Sequence, residues 1–179
     1  MSIQVGSAAP SFSAPALVGR EFKDVTLRQY LDDGKWVVLF FYPKDFTFVC
    51  PTEIISFNDL IDDFEDRNAI VLGVSTDTVN SHLGWVRSDE RLQGLRFPLL
   101  GDVTKQVTRA FGVLLEDQGV ALRGTYIIDP SGRIRWSSIY DLDVGRNTEE
   151  VVRVLDALQS GGLCACGWQE GDENLRPTS

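Results

Sequence analysis

The apolar run at residues 36–42 constrains the fold of this chain more than any other segment. Its sequence, WVVLFFY, contains no charged residue, so the pattern predicts a strand that is buried on both faces. Pro43 ends the run, and Cys50 then opens a segment with apolar residues at helical spacing. These residues therefore predict a buried strand, a proline turn and a helix that begins at a cysteine.

A cysteine at the start of a helix lies in a special electrostatic environment. The unpaired N–H groups and the positive end of the helix dipole favour a thiolate there. Pro51 follows Cys50 and suits the first turn of a helix, where its missing N–H costs nothing. Thr47 precedes Cys50 by three residues, so a single turn could bring its hydroxyl beside the sulfur. The alternative is a buried cysteine that only packs; the surrounding residues favour an activated nucleophile.

The rest of the chain alternates between apolar runs and segments with helical periodicity. Further strands are predicted at residues 69–75, 97–100, 124–128 and 133–139, and helices at 25–31, 50–66, 79–91, 103–111 and 147–159. Strands that alternate with helices indicate an α/β domain, and a final antiparallel hairpin makes its sheet mixed. This organisation suits a thioredoxin-like fold, in which helices flank a central mixed sheet. Periodicity alone does not separate it from other α/β folds.

The predicted domain spans residues 1–160, and residues 161–179 are predicted to form a flexible polar tail. The tail carries Cys164 and Cys166. Residues 1–34 are predicted to be irregular apart from one short helix, because prolines and a glycine punctuate them.

Composition excludes several classes of function. The net charge of −9 argues against nucleic-acid binding and against adhesion to an anionic membrane. We expect no membrane-spanning segment, because no apolar run approaches about 18 residues. Three cysteines and no recognisable secretory signal predict a cytoplasmic protein rather than a disulfide scaffold. One histidine, His82, and so few cysteines make a metal site an unfavoured expectation.

The spacing Pro43-x-x-x-Thr47-x-x-Cys50 resembles the active-site signature of peroxiredoxins. The longer run FYPKDFTFVCPTE at residues 41–53 is similar to the 2-Cys branch that includes the bacterial alkyl hydroperoxide reductase C subunit (AhpC). Further segments extend the resemblance over nearly the whole chain: residues 72–77, 82–85, 123–129 and 144–147. The resemblance implies a thioredoxin-like fold and a cofactor-free thiol peroxidase. Its implied substrates are hydrogen peroxide and organic hydroperoxides, with peroxynitrite as a further candidate.

The resemblance also implies roles for the residues around Cys50. The Thr47 hydroxyl and the Arg123 guanidinium would stabilise the reacting peroxide, and Pro43 would shield the sulfenic acid formed on Cys50. Two further residues are supporting candidates, Glu53 and Arg146. A thiol with a pKa of about 8.5 is roughly 3% ionised at pH 7, so full ionisation contributes only about 30-fold to the rate. The remaining acceleration has to come from orientation and charge stabilisation.

The tail cysteines resemble the resolving position of the same family. Cys164 stands four residues before Trp168, as the resolving cysteine does in that branch. The resemblance implies a disulfide between Cys50 and Cys164 of the partner subunit, in a homodimer that assembles into a decamer or dodecamer ring. Cys166 departs from the usual pattern of one cysteine; it could share the resolving role or pass the disulfide outward. The reductant stays open among thioredoxin-like, AhpF-type and AhpD-type proteins.

Two motifs of eukaryotic members that are prone to over-oxidation are missing. The loop at residues 112–117 lacks a Gly-Gly-Leu-Gly insertion, and the chain ends without a Tyr-Phe tail. We therefore expect resistance to over-oxidation. Two other functions stay open. A disulfide oxidoreductase is weakened by Glu53, which stands where a second cysteine would follow Cys50, and a holdase chaperone would need no peroxide chemistry.

Overall fold

The computed structural model describes residues 3–177. The strands are β1 (Ser13–Val18), β2 (Glu21–Thr26), β3 (Trp36–Phe41), β4 (Ala69–Ser75), β5 (Leu99–Gly101), β6 (Leu114–Leu115), β7 (Val120–Ala121), β8 (Arg123–Ile128) and β9 (Ile134–Tyr140). The helices are α1 (Leu27–Asp32), α2 (Val49–Asp59), α3 (Ile61–Asp66), α4 (Val79–Ser88), α5 (Gln106–Ala110) and α6 (Thr148–Gln159), with a 3-10 turn at Glu90–Leu92.

One mixed sheet organises the described part of the chain. Its strand order is β2-β1-β5-β4-β3-β8-β9, and β6 pairs with β7 apart from it. The three inner strands β3, β4 and β5 run parallel, whereas β1 and β8 pair antiparallel with β5 and β3. The predicted α/β architecture with a central mixed sheet is confirmed.

The run at residues 36–42 behaves as its composition predicts. Val37, Leu39 and Phe41 belong to one buried cluster, and Val38 and Phe40 belong to another on the opposite face of the sheet. The first cluster is covered by α1 and α5, and the second by α2, α4 and α6. Burial on both faces explains why β3 contains no charged side chain.

The prediction of an irregular N-terminal region is wrong. Residues 13–26 form the β1–β2 hairpin, which turns at Gly19 with a φ of 64°. Pro15 suggested a break, yet β5 pairs only with Ala16 and Leu17 of β1. The proline therefore lies beyond that pairing, where its missing N–H removes no bond to β5.

The single helix predicted at residues 50–66 is two helices. Leu60 ends α2 and precedes α3, with φ −97° and ψ 8°. Apolar residues continue at helical spacing through the break, at Phe57, Ile61 and Phe64. Periodicity reports which face is buried, so it could not show where the backbone hydrogen bonds change.

The tail folds back onto α6 in this structure. Trp168 is buried, and its carbonyl accepts a 2.9 Å hydrogen bond from Nη1 of Arg153. Leu163 and Leu175 form an isolated bridge that closes the segment into a loop. Helix α6 ends at Gln159; the division into a domain and a flexible tail stays a prediction. In the described part of the chain, every helix is too short or too polar to cross a bilayer.

Candidate active site

Cys50 lies in the first turn of α2, after the loop that leaves β3. Its side chain is fully buried and belongs to the same apolar cluster as Phe40, Ile54 and Phe57. The cysteine therefore packs, but it also meets a charged group. Packing and chemistry are not alternatives at this position, because burial fixes where the sulfur points.

Arg123 brings a guanidinium to the sulfur. β8 runs antiparallel to β3 with Thr125 opposite Phe40, which places Arg123 beside the loop that follows β3. Nη1 of Arg123 lies 3.3 Å from Sγ of Cys50, and Nε donates to the Leu142 carbonyl at 2.8 Å. Arg123 is only 4% exposed. A guanidinium held on two sides can bind a thiolate or the oxygen of a peroxide without rearranging.

Glu53 joins this guanidinium to a second one. Its Oε2 accepts from Nη1 of Arg123 at 2.8 Å and from Nη2 of Arg146 at 3.0 Å. Its Oε1 accepts from the backbone N–H and Nε of Arg146, at 3.1 and 2.9 Å. All three side chains are buried to within a few per cent. Buried charges persist when they are paired and hydrogen-bonded, and each of these is.

Arg146 connects the site to the sheet. Its guanidinium donates to the carbonyls of Phe41 at 2.6 Å and Gly124 at 2.9 Å, and to Oγ1 of Thr125 at 2.9 Å. The cation also lies 5.2 Å from the centroid of the Phe40 ring. Arg146 therefore links β3, β8 and α2. The sequence had indicated only a supporting residue at this position.

Of the thiol and the thiolate, only the thiolate balances the charges around Cys50. Arg123 and Arg146 contribute two positive charges, and Glu53 contributes one negative charge. With a neutral thiol the cluster carries +1, and with a thiolate it carries zero. A buried cluster is most stable when its charges cancel, so the arrangement suits an anionic sulfur.

The loop before Cys50 holds the other predicted residues. Pro43 is buried, and Thr47 is half-buried. The Thr47 hydroxyl donates to the Lys44 carbonyl at 2.9 Å. Among residues 3–177 no hydrogen bond joins it to Cys50. The prediction that the hydroxyl acts beside the sulfur therefore stays a prediction.

A buried polar network beneath the loop was not predicted from the sequence. Nδ1 of His82 lies 2.7 Å from Oδ2 of Asp45, and its Nε2 lies 2.9 Å from the Leu100 carbonyl. Tyr42 donates its hydroxyl to Asp45 at 2.8 Å, and the Asp45 backbone N–H donates to Asp77 at 2.9 Å. The network fixes the loop between β3 and α2 from the opposite side to Arg123.

Burial and hydrogen bonding set the protonation of this network. Burial alone would lower the pKa of His82, but the hydrogen bond and charge of Asp45 outweigh it, so the pKa of His82 is raised. Burial raises the pKa of Tyr42 well above its usual value, and Asp45 raises it further. The resemblance covered the segments that contain Tyr42, Asp45, Asp77 and His82, but it named no contact between them.

Within the described residues, no hydrogen bond joins Cys164 or Cys166 to Cys50. The Cys164 sulfur lies 3.4 Å from the Ser160 hydroxyl and 3.5 Å from the Ala157 carbonyl, at the end of α6. Cys166 is exposed, and all three cysteines are free. No cluster of three His, Cys, Asp or Glu side chains within residues 3–177 is arranged to hold a metal ion.

Comparison with known proteins places this geometry in a family. The AhpC/TSA family model matches residues 5–137. A relative from Bacillus subtilis, described as the putative peroxiredoxin YkuU, is 47% identical over 96% of this chain and 97% of its own. A thioredoxin peroxidase from Echinococcus granulosus is 48% identical, with 100% of this chain and 95% of its own covered.

Solved structures agree with the sequence relatives. A reduced 2-Cys peroxiredoxin from Plasmodium vivax superimposes with a TM-score of 0.93 at 37% identity, covering 97% of this chain and 93% of its own. Mycobacterium tuberculosis AhpC superimposes with a TM-score of 0.85 at 44% identity, covering 94% of this chain and 100% of its own. The predicted thioredoxin-like fold is confirmed. The chain belongs to the AhpC/TSA family and is a peroxiredoxin of the 2-Cys type, an enzyme that reduces peroxides through a cysteine thiol.

Proposed function

We propose that Cys50 is the residue that attacks the peroxide and that the enzyme is of the bacterial AhpC type. One observation carries the assignment: the Cys50 sulfur lies 3.3 Å from a guanidinium held in a balanced, buried charge cluster. Within the described residues, neither Cys164 nor Cys166 has a hydrogen bond to a buried cation. The proposed substrates are hydrogen peroxide and organic hydroperoxides, with peroxynitrite as a third.

The first step breaks the O–O bond. The Cys50 thiolate attacks the terminal peroxide oxygen, an S–O bond forms, and the other oxygen leaves with the electron pair and takes a proton to become water or an alcohol. Negative charge grows on the leaving oxygen, so a fixed donor there lowers the barrier. Arg123 is the proposed donor, and Thr47 joins it once its hydroxyl turns from Lys44. Pro43 shields the sulfenic acid.

Glu53 and Arg146 are proposed as positioning residues. Glu53 shares its carboxylate between both guanidiniums, so it fixes the direction of Arg123 as well as its charge. Arg146 anchors Glu53 to the sheet through Phe41 and Gly124. Neither side chain needs to touch the peroxide to affect the rate.

The second step is proposed to use the tail. The Cys164 thiol of the partner subunit attacks the Cys50 sulfenic acid; an S–S bond forms, and the hydroxyl leaves as water with the thiol proton. Cys166 is the proposed partial substitute, or the thiol that passes the disulfide outward. A dithiol reductant of the thioredoxin-like, AhpF or AhpD type then regenerates both thiols. This cycle needs a homodimer, which we propose assembles into a decamer or dodecamer ring in the cytoplasm.

A single-turnover assay tests the assignment of Cys50. Cys50→Ser should abolish peroxide consumption, whereas Cys164→Ser and Cys166→Ser should each consume one equivalent at the wild-type rate. Residual fast consumption by Cys50→Ser would refute the assignment. The tail is tested separately on non-reducing gels of oxidised protein. Wild type should form a covalent dimer, Cys166→Ser should retain nearly all of it, Cys164→Ser some, and the double variant none.

A further inference from the structure

A cavity of about 360 Å³ lies on the far side of α4 from the active-site loop. It is bounded by the turn between β1 and β2, by α4, and by the segment that leads from the 3-10 turn into β5. Its volume is at the small end of the range of about 300–1,000 Å³ that is usual for ligand sites. The peroxidase cycle proposed above does not use this cavity.

The floor of the cavity is apolar. Leu17 and Phe97 are almost fully buried, and Leu83, Val86 and Leu95 are half-buried around them. The remaining lining adds backbone at two glycines and one amide side chain, Gln93. The lining contains no carboxylate, although the chain has 26 acidic residues against 17 basic ones. A surface of this composition accepts an apolar body and repels no negative charge.

Two guanidiniums stand at the same cavity, Arg20 and Arg87. Nine arginines, among them Arg28 and Arg96, pair with a carboxylate, but within residues 3–177 neither Arg20 nor Arg87 has a carboxylate within 4.0 Å. Arg87 has a structural reason for its position, because it lies in the last turn of α4, where a cation is favoured. Arg20 sits in the hairpin turn and has no such reason.

We propose that this cavity binds a small organic anion whose apolar body fills the floor and whose carboxylate is held by Arg20 and Arg87. A guanidinium matches a carboxylate with two parallel hydrogen bonds, and two of them at one rim favour a monoanion over a neutral head group. The apolar floor favours a body of several carbons over a bare anion such as acetate, because each buried methylene contributes about 0.8 kcal/mol.

Binding in this cavity would change the surroundings of side chains on α4. Leu83, Val86 and Arg87 line the cavity, while His82 and Trp85 of the same helix face the active-site loop. The Trp85 ring lies 6.1 Å from that of Phe46, a residue of that loop. Trp85 is next in sequence to the lining residue Val86, and its fluorescence offers a readout that is independent of peroxide turnover.

Calorimetric titration with octanoate, below the concentration at which it forms micelles, tests the proposal. Octanoate should bind one site per subunit, octanamide about tenfold more weakly, and acetate not detectably. Arg20→Gln and Arg87→Gln should each weaken octanoate about tenfold while leaving octanamide unchanged. Arg28→Gln is the matched control, because this exposed arginine lies outside the lining, and it should bind as wild type does.

Two results would overturn the proposal. One is octanoate and octanamide binding equally, which would mean that the cavity takes apolar bodies without using the arginines. The other is octanoate binding that Arg20→Gln and Arg87→Gln leave intact. Val86→Glu adds a carboxylate to the half-buried lining and should abolish octanoate binding. The Trp85 emission change on titration should disappear in Trp85→Phe and persist in Trp36→Phe. Persistence in both variants would be a third contrary result, because it would place the ligand elsewhere. Because all readouts are of binding, they stand whether or not Cys50 is the attacking thiol.

Discussion

The surroundings of Cys50 and Cys164 differ in how firmly they hold a sulfur. Cys50 faces a buried guanidinium, which is itself fixed by Glu53 and a carbonyl. Cys164 contacts a hydroxyl, carbonyls and an amide, all neutral, at 3.4–3.9 Å. Charge-assisted bonds are about twice as strong as neutral ones, and bonds to sulfur are weak. The comparison teaches that the proposed attacking sulfur is fixed before substrate arrives, whereas the proposed resolving sulfur is held loosely enough to leave.

The largest effect is expected when the negative charge of Glu53 is removed from the cluster at Cys50. Glu53→Gln keeps the shape of the side chain but removes the carboxylate that two buried guanidiniums share. We expect a loss of unfolding free energy of about 3–5 kcal/mol, measured by denaturant unfolding. Asp156→Asn is the matched control, because its partner Arg67 is only partly buried; there the loss should be about 1 kcal/mol. Equal losses would show that the cluster at Cys50 is not special.

Changing Arg123 separates charge from geometry. Arg123→Lys keeps the positive charge but loses the rigid guanidinium, in which Nη1 reaches the sulfur and Glu53 while Nε is held by the Leu142 carbonyl. The single-turnover rate with hydrogen peroxide should fall about 100-fold, the size expected for one lost transition-state donor. Stopped-flow measurement on the alkaline plateau, where the thiol is fully ionised, isolates this effect from ionisation.

Arg153→Lys is the matched control, because it makes the same substitution at an arginine that contacts the tail. Arg153 donates to the Trp168 carbonyl beside the tail cysteines and should not alter the first turnover. If Arg123→Lys reached the wild-type rate on the alkaline plateau, the guanidinium would serve ionisation alone.

The His82 network should make the stability of the region around Cys50 depend on pH. The pKa of His82 is raised in the folded protein, mainly by Asp45 against the opposing effect of burial. A raised pKa stabilises the fold fully below the unfolded value of about 6.5, and the contribution is lost as pH rises through the folded value. The stability of wild type relative to His82→Gln should therefore be largest near pH 5.5 and smaller at pH 8. An advantage that grew with pH would contradict the assigned direction.

The smallest effect is expected in the tail. Nδ2 of Asn174 donates to the Ser160 hydroxyl at 3.0 Å and lies 3.9 Å from the Cys164 sulfur. Asn174→Ala should change the unfolding free energy by no more than about 0.5 kcal/mol, as is usual for exposed sites. It should nevertheless speed disulfide formation a few-fold, because less has to be broken. Disulfide formation slower than in wild type would mean that Asn174 delivers the sulfur rather than restraining it.

The predictability of the two regions follows from how local their interactions are. The strand β3, the turn after it and the helix that begins near Cys50 were predictable, because residues close together in the sequence determine the burial of β3 and the start of α2. The bonds that complete the site join residues far apart in sequence, such as Arg123 with Cys50 and Arg146 with Glu53. Resemblance assigned Arg123 to the reacting peroxide and named Glu53 and Arg146 only as supporting candidates, and nothing local indicated that Asp45 would meet His82. The β1–β2 hairpin was missed because its proline and glycine read as breaks.

The charge balance at Cys50 bears on damage as well as on catalysis. A sulfenic acid is neutral, so its formation returns the cluster to +1 and leaves Glu53 as the anion that Arg123 and Arg146 share. A second peroxide converts it to a sulfinate, which carries one negative charge and restores the balance that the thiolate had. The pocket thus stabilises the starting thiolate and the dead-end product alike and disfavours only the intermediate between them. The charge balance therefore gives no protection from inactivation, so we expect the outcome to depend on how soon another thiol removes the neutral intermediate.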